Sequence, residues 1–591
     1  MIAEPHWRYR DPLEPALHRD VSPDVLMEHV RAIAAWERES GSAGEARAFD
    51  YIEDTLKRYG LAVERREVEA LISLPEEGRL TLPGGEVIQG LTHSFSPSAE
   101  ALEGELVDAG EGTPGDYARV RAEGKIALVS GLATPGKAWA AQQAGTLAQV
   151  FVNADHLHNM IVSTVWGTPA PDTAWRLPRT PCLSIRHADA ERLRQLLWVR
   201  LHQGAVRITL TTRVRTGWIP IPLLVAHLDG HVEDRFVLLS GHVDSWHHGA
   251  MDNAAANATM LEVARLLGGR RDRLRRGLRV AFWSGHSHGR YAGSAWYADH
   301  AWSELHRRCV LHLNADSTGA RGATDYSTLH ATEDAQLFAE AVVRDLTGQP
   351  ARGRRISRAG DQSFWGAGVP SAFMSLSGIP RQDTELSRTM ERLLGTSGFP
   401  WWWHTREDTV DKIDAGVLTL DTKVYLSAAL RAVNAPVLPL DHAWTARALL
   451  AVVEELRTAS ASRFDLAPVA TAARGLVERA DALATALARL AATTPGAAAL
   501  ERANRALVRL SRILVPLAYT TGDPFRHDLA LPQAPLAGLQ AVRDLARLEP
   551  HADDFKFAAA ALTRERNRVV HALDDAAELV DDVLAAKETP A

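Results

Sequence analysis

The sequence predicts an α/β protein. It is built on a mostly parallel sheet with helices on both faces, a β-rich inserted module and a C-terminal helical region. Three observations point there. Continuous apolar runs at 236–240, 278–283, 309–313 and 371–376 read as buried strands, with helix-like stretches at 254–267 and 293–305 between them. Strands that are apolar on every residue and alternate with helices imply a parallel sheet covered on both sides. Residues 88–215 instead show short apolar runs broken by Gly, Pro and Asp, and the chain beyond about 441 becomes rich in Ala, Leu and Arg.

Taken in order, the first periodic segment spans 42–59. Ser42 and Glu45 stand at capping-box spacing. Phe49, Ile52, Leu56 and Tyr59 then recur on one helical face until Gly60. Strand-like sequence follows at 61–68. The broken region offers short strands at 105–109, 125–130, 149–153 and 182–185, with a helix-like stretch at 138–145. The C-terminal region offers amphipathic helices at 444–456, 466–490, 497–514 and 555–584, punctuated by Pro495-Gly496 and a Pro-containing stretch at 521–535. The residues after about 585 read as a loose tail.

Bulk properties exclude several classes. A chain of 591 residues is too long for one core. Its 46% hydrophobic and 24% charged content is ordinary for a globular protein, and a net charge of −7 leaves no basic footprint for nucleic acid. No apolar stretch reaches membrane-spanning length, and residues 1–20 lack a signal-peptide core. Only two cysteines occur, Cys182 and Cys309, and they read as buried reduced thiols. A cytoplasmic protein is the expectation.

The chemistry-bearing residues gather where the predicted strands end. Gly241-His242-Val243-Asp244 follows the first run, and Asp252-Asn253 opens the helix after it. Asn314-Ala315-Asp316 follows the 309–313 run. His404-Thr405 and Asp408-Thr409 follow three tryptophans, Trp401 to Trp403. Functional groups in parallel sheets collect at the C-terminal strand ends. Taken singly, each cluster also reads as caps and turns.

In combination, H-x-D, then D-N, N-x-D and H-T-x-x-D-T resemble the co-catalytic zinc peptidases of the aminopeptidase and glutamate carboxypeptidase family, with the transferrin receptor as a non-enzymatic cousin. The resemblance implies a zinc exopeptidase-like unit of residues 1–87 and 220–440. It also implies a protease-associated-like insert at 88–219 and a helical dimerisation-like domain at 441–591, hence a homodimer. It implies that His242 and Asp316 bind one metal, that His404 binds another, that Asp252 bridges both, and that Asp244 orients His242. These nitrogen and oxygen donors suit one or two zinc ions or another divalent transition metal.

One motif departs from the family. Where it carries W-x-x-E-E-x-G-x-x-G-S, this chain reads Trp283-Ser284-Gly285-His286-Ser287-His288-Gly289-Arg290-Tyr291-Ala292-Gly293-Ser294, one residue longer and without either glutamate. Counting forward from Trp283 places His286 at the base position and Ser287 at the ligand position. Counting back from Gly293-Ser294 places Ser287 and His288 there. The preferred reading makes His286 the proton acceptor and His288 a metal ligand. His247 and His248, near Asp252, add further candidate donors. Arg358, Asp361 and Trp403 are candidates for binding substrate, and Arg352, Arg354 and Arg355 lie upstream of them.

The function so implied is hydrolysis of an amide bond in a peptide or N-acyl amino acid by metal-activated water. The alternatives are a receptor-like binding protein of the same fold, or a metal enzyme with non-hydrolytic chemistry.

Overall fold

The computed structural model describes residues 4–199, 204–384 and 398–585, with 387, 388 and 391 between them. The expected tail after 585 lies outside the described residues.

A 12-stranded sheet runs through the first two-thirds of the chain. At one end Ser371–Ala372, Cys309–Asn314, Phe236–His242 and Gly277–Trp283 lie side by side in parallel. Every residue of the last three strands is buried, which is why their sequences read as unbroken apolar runs. Alternate residues feed two layers. Val237, Leu239, Val280 and Phe282 face the helices Ala256–Gly268 and Ala415–Asn434. Leu238, Ala281 and Trp283 face Ala292 and Ala298 of helix Ala292–His300, together with Phe364. The expectation of a mostly parallel sheet clothed by helices on both faces therefore holds.

The sheet does not end there. Strand Arg207–Leu228 pairs antiparallel with Gly277–Trp283 at one end and with Ala99–Asp108 at the other. Strand Ala62–Thr81 follows it in antiparallel register from Ala62↔His227 to Thr81↔Thr209. Beyond them Ala99–Asp108, Ile126–Ser130, Ala148–Asn153 and Cys182–Arg186 form a second parallel group. The boundary expected at 219/220 thus falls inside a continuous strand. Residues 88–219 also hold helices Pro114–Val120, Pro135–Gln143 and His187–Val199; the second matches the helix-like stretch read at 138–145, and the first is too short to register as a period.

Local chemistry explains several ends. Ser42 caps Ala43–Arg58 by accepting from Glu45 N–H, but Glu45 reaches back to Gly41 N–H rather than to Ser42, so the box is offset by one residue. The run at 371–376 is a strand only over Ser371–Ala372, because Phe373 turns into the left-handed region at φ 68°. The helix expected at 293–305 divides at Ala301 into Ala292–His300 and Trp302–Arg308. The C-terminal region is helical as expected, with Ala467–Ala491 packed between His442–Ala459 and Asp553–Ala585.

Candidate metal centre

The residues predicted from strand ends converge at one edge of the first parallel group. His242 is the last residue of its strand. Its Nδ1 lies 2.7 Å from the Asp244 carbonyl oxygen. A carbonyl only accepts, so Nδ1 carries the proton and Nε2 presents a lone pair. That Nε2 lies 3.2 Å from Asp252 Oδ1 and 3.7 Å from Asp316 Oδ2. His404 repeats the arrangement: Nδ1 donates to the Asn159 carbonyl at 2.7 Å, and Nε2 lies 3.1 Å from Asp252 Oδ2. The Asp252 carboxylate therefore sits between two imidazoles, one oxygen toward each. The orienting group for His242 is the Asp244 main chain. The Asp244 carboxylate, expected to do this, stands 3.8 Å from Nδ1.

Buried polar groups hold these pieces in register. Asp408 accepts the N–H groups of Met251 and Asp252, fixing the turn that carries Asp252. Asn253 donates to the carbonyls of His242 and Ala315 and accepts from Ser317 N–H, joining two strand ends. Ser317 Oγ donates to Asp316 Oδ1. Arg38, fully buried, donates to the carbonyls of Val243, His248 and Gly249 and so pins the loop between His242 and Asp252.

The charge pattern favours a cation. Burial alone would lower the His242 pKa, but Asp252 and Asp316 outweigh it and hold it well above its ordinary value. Burial would raise that of Asp252, yet His242 and His404 hold it well below. A positive charge is thus stabilised between these side chains. His242 Nε2 and Asp252 Oδ1 are moreover buried without a hydrogen-bond partner. Buried orphan donors of nitrogen and carboxylate type, with each ring fixed from its far side, fit a zinc-class ion.

The segment after Trp283 brings His286, and not His288, beside His242 and Asp316. The His286 ring stacks on His242 with centroids 3.7 Å apart and 10° between planes. One ligand atom each from His242, His286 and Asp316 lies within 4.8 Å of the others. His286 Nδ1 donates to Asp361 Oδ2 at 2.8 Å, and Asp361 Oδ1 accepts from Ser294 Oγ at 2.8 Å. Asp361 is 1% exposed beneath this ring and lies outside the cavity wall. The expectation that it contacts substrate gives way to one in which it holds His286.

His288 does not join the group. Its ring is fully buried against Trp246, and its Nδ1 accepts from Ser40 N–H. Gly285, Arg290 and Tyr291 in this segment adopt left-handed conformations. The Asp244 carboxylate accepts N–H groups of both His286 and Ser287, so it anchors this segment. Burial would raise its pKa, but His288, His242 and His286 hold it below the ordinary value. His247 bonds Asn159 Oδ1 and His248 bonds the Ala34 carbonyl, so both rings face other partners.

A cavity of about 230 Å³ opens beside the group. Asp252, His286, Asp316 and His404 line it, with Arg290, Tyr291 and Trp403. Trp403 stacks on His404 at 3.6 Å, so it braces a candidate ligand as well as forming wall. Arg358 also lines the cavity, but its guanidinium bonds Asp528, Gln533 and the Tyr519 carbonyl. Arg355 is likewise spent on the Ala518 carbonyl and Glu333. Sequence reasoning passed over Arg38, Asn159 and Arg290. Only Arg290 carried a signal, as an arginine inside the altered motif.

The chain is similar to several known proteins. Residues 224–428 match the model described as Peptidase family M28. The chain is 24% identical over 541 residues to the probable glutamate carboxypeptidase VP8 of Zea mays, covering 77% of this chain and 73% of that one. It is 25% identical over 446 residues to the probable lipoprotein aminopeptidase LpqL of Mycobacterium tuberculosis, covering 69% and 84%. Among solved structures, an aminopeptidase from Aneurinibacillus sp. strain AM-1 has the same fold, with a TM-score of 0.54 at 22% identity over 71% of this chain and 96% of that one.

Proposed function

We infer, from a chain that carries a peptidase family M28 domain, that it is a metal-dependent hydrolase cleaving peptide or small amide bonds. The observation that carries this reading is the Asp252 carboxylate set between His242 Nε2 and His404 Nε2 at 3.2 and 3.1 Å. His242, Asp252 and Asp316 would hold one zinc ion. Asp252 and His404 would hold a second with fewer protein donors among the described residues, so a second ion would be held more weakly. Bound zinc polarises a scissile carbonyl and acidifies water.

The chain's own residues supply the rest. His286, with Nδ1–H given to Asp361, presents Nε2 to take the proton of an attacking water and return it to the leaving amine nitrogen. This reading gives His286 the base role that the resembled family assigns to glutamate. The Asp361 carboxylate steadies the imidazolium as it forms. The cavity walls, Met160, Ile161, Phe399 and Trp403, restrict water around the reacting group.

Elemental analysis of the purified protein and of Asp252→Ala tests the reading, alongside hydrolysis of a panel of dipeptides and aminoacyl amides. The expected result is at least one zinc per chain, lost in the variant, with hydrolysis that chelator abolishes. Less than one metal per chain, with neither activity nor melting temperature sensitive to chelator, would leave a binding protein of the same fold.

The finer assignments also belong here. Residues 88–219 and 441–591 are proposed as distinct units that both reach the cavity, the first through Met160 and Ile161 and the second through Ala530, Leu531 and Pro532. A homodimer through the helical region is supported by exposed Phe557 and Leu584 on its last helix. Light scattering that returns a monomer at every concentration would exclude it. A cytoplasmic location is supported by two free, buried cysteines.

A further inference from the structure

Arg290 is a charged group of the cavity that the proposed hydrolysis leaves unused. Its side chain lines the cavity together with His286, Asp252 and Asp316. It is 9% exposed. Its guanidinium makes one hydrogen bond, from Nη2 to the Ala530 carbonyl at 3.2 Å, and its Nε is buried without a partner. It lies 4.8 Å from the Tyr291 ring centroid, and among the described residues no carboxylate comes within ion-pair distance. Arg358, in the same wall, is by contrast fully engaged with Asp528 and its neighbours.

A buried cation without a counter-charge is costly, and proteins keep such groups where function uses them. Guanidinium presents a planar fork of donors that matches a carboxylate. The backbone at Arg290 is itself held left-handed, at φ 51°, by the turn that follows His286. The cavity is also small. Its 230 Å³ falls below the roughly 300 Å³ at which ordinary ligand pockets begin, so it takes one compact group beside the scissile bond. Met160, Ile161, Met374 and Phe399 add an apolar face to that wall.

We propose that Arg290 receives a carboxylate of the substrate, so that the enzyme acts on small acidic amides with an apolar body: dipeptides or N-acyl amino acids bearing a free carboxylate next to the bond that is cut. The proposal rests on the hydrolase reading for the reaction, but not for the recognition of the carboxylate. A terminal main-chain carboxylate and an acidic side chain share this chemistry.

The test compares wild type, Arg290→Gln and Arg290→Lys as zinc-loaded proteins. Binding of 3-phenylpropionate and of 3-phenylpropanol is measured by calorimetry, because neither can be hydrolysed. Wild type should prefer the acid, and Arg290→Gln should weaken the acid roughly tenfold to a hundredfold while leaving the alcohol unchanged. Arg290→Lys should retain part of the preference. The melting temperature of Arg290→Gln should be no lower than that of wild type, which separates lost recognition from lost folding. Hydrolysis of Ala-Phe, Ala-Phe-amide and Ala-isoglutamine then tells the two sources apart: selectivity for the first identifies a terminal carboxylate, and for the last a side chain.

An acid preference that survives Arg290→Gln, or the absence of any preference in wild type, overturns the proposal. Equal hydrolysis of all three peptides also overturns it and leaves the hydrolase reading standing. Acid-selective binding through Arg290 with no hydrolysis of any peptide does the reverse.

Discussion

Replacing Asp361 by asparagine changes one property beneath His286, its charge. The carboxylate accepts from His286 Nδ1 at 2.8 Å on one oxygen and from Ser294 Oγ at 2.8 Å on the other. An asparagine can keep both contacts. Its oxygen accepts from the imidazole, and its amide donates to Ser294 Oγ, which also has acceptor capacity. The tautomer that leaves His286 Nε2 unprotonated is therefore preserved. What is lost is the difference between a charge-assisted and a neutral hydrogen bond as the imidazolium forms, about 1–2 kcal/mol. That corresponds to roughly a tenfold fall in kcat, with KM and zinc content unchanged. Asp361→Ala removes the acceptor as well and frees the tautomer, so it should fall further, toward the roughly 10²–10⁴-fold loss expected for His286→Ala. Steady-state kinetics on one dipeptide, with zinc measured on each sample, reads the series. A rise in KM at constant kcat in Asp361→Ala would refute the reasoning and restore the role suggested by sequence, contact with substrate.

Three further outcomes are expected. Arg38→Met should destabilise the fold by about 3–5 kcal/mol, since it strips buried donors from the carbonyls of Val243, His248 and Gly249; urea unfolding reads this, and an unchanged midpoint would contradict it. His29, held between the hydroxyls of Tyr51 and Tyr59, has its pKa lowered by burial to about 4. It is neutral in the folded state and would be protonated in the unfolded chain below about 6.5, so its contribution is complete above that pH and is lost as pH falls toward 4, by about 3 kcal/mol. Unfolding at pH 7.5 and pH 4 should show a steeper loss in wild type than in His29→Gln, and parallel losses would exclude it. Finally, His404→Ala should retain the tighter ion, whereas His242→Ala should lose both; equilibrium dialysis with zinc reads the stoichiometry, and equal retention by the two variants would contradict the assignment.

The parts of the fold legible in sequence were those with a single environment along their length. Phe236–His242 and Gly277–Trp283 are buried on every residue and so read plainly as strands. Ala62–Thr81 was recognised only at its start, because its partly exposed face mixes charged and apolar residues over 20 positions. The same contrast holds at the site. His242, Asp252, Asp316 and His404 stand in short motifs at element ends, where sequence order carries spatial order. His286 and His288 lie in a loop whose left-handed residues have no period, so counting from either side gave two answers. Asp361 and Asn159 act from distant segments, the latter through its main chain, which leaves no mark on residue identity.

The grip of Asn159 on His404 has an architectural consequence. A group that fixes one candidate zinc donor comes from the inserted module, and the strands Ala62–Thr81 and Arg207–Leu228 tie that module to the rest without a hinge between them. The module is therefore no detachable accessory. Excising it to make a minimal enzyme would unclamp the His404 imidazole and let it rotate, and any tilt of the module would reach that ring directly.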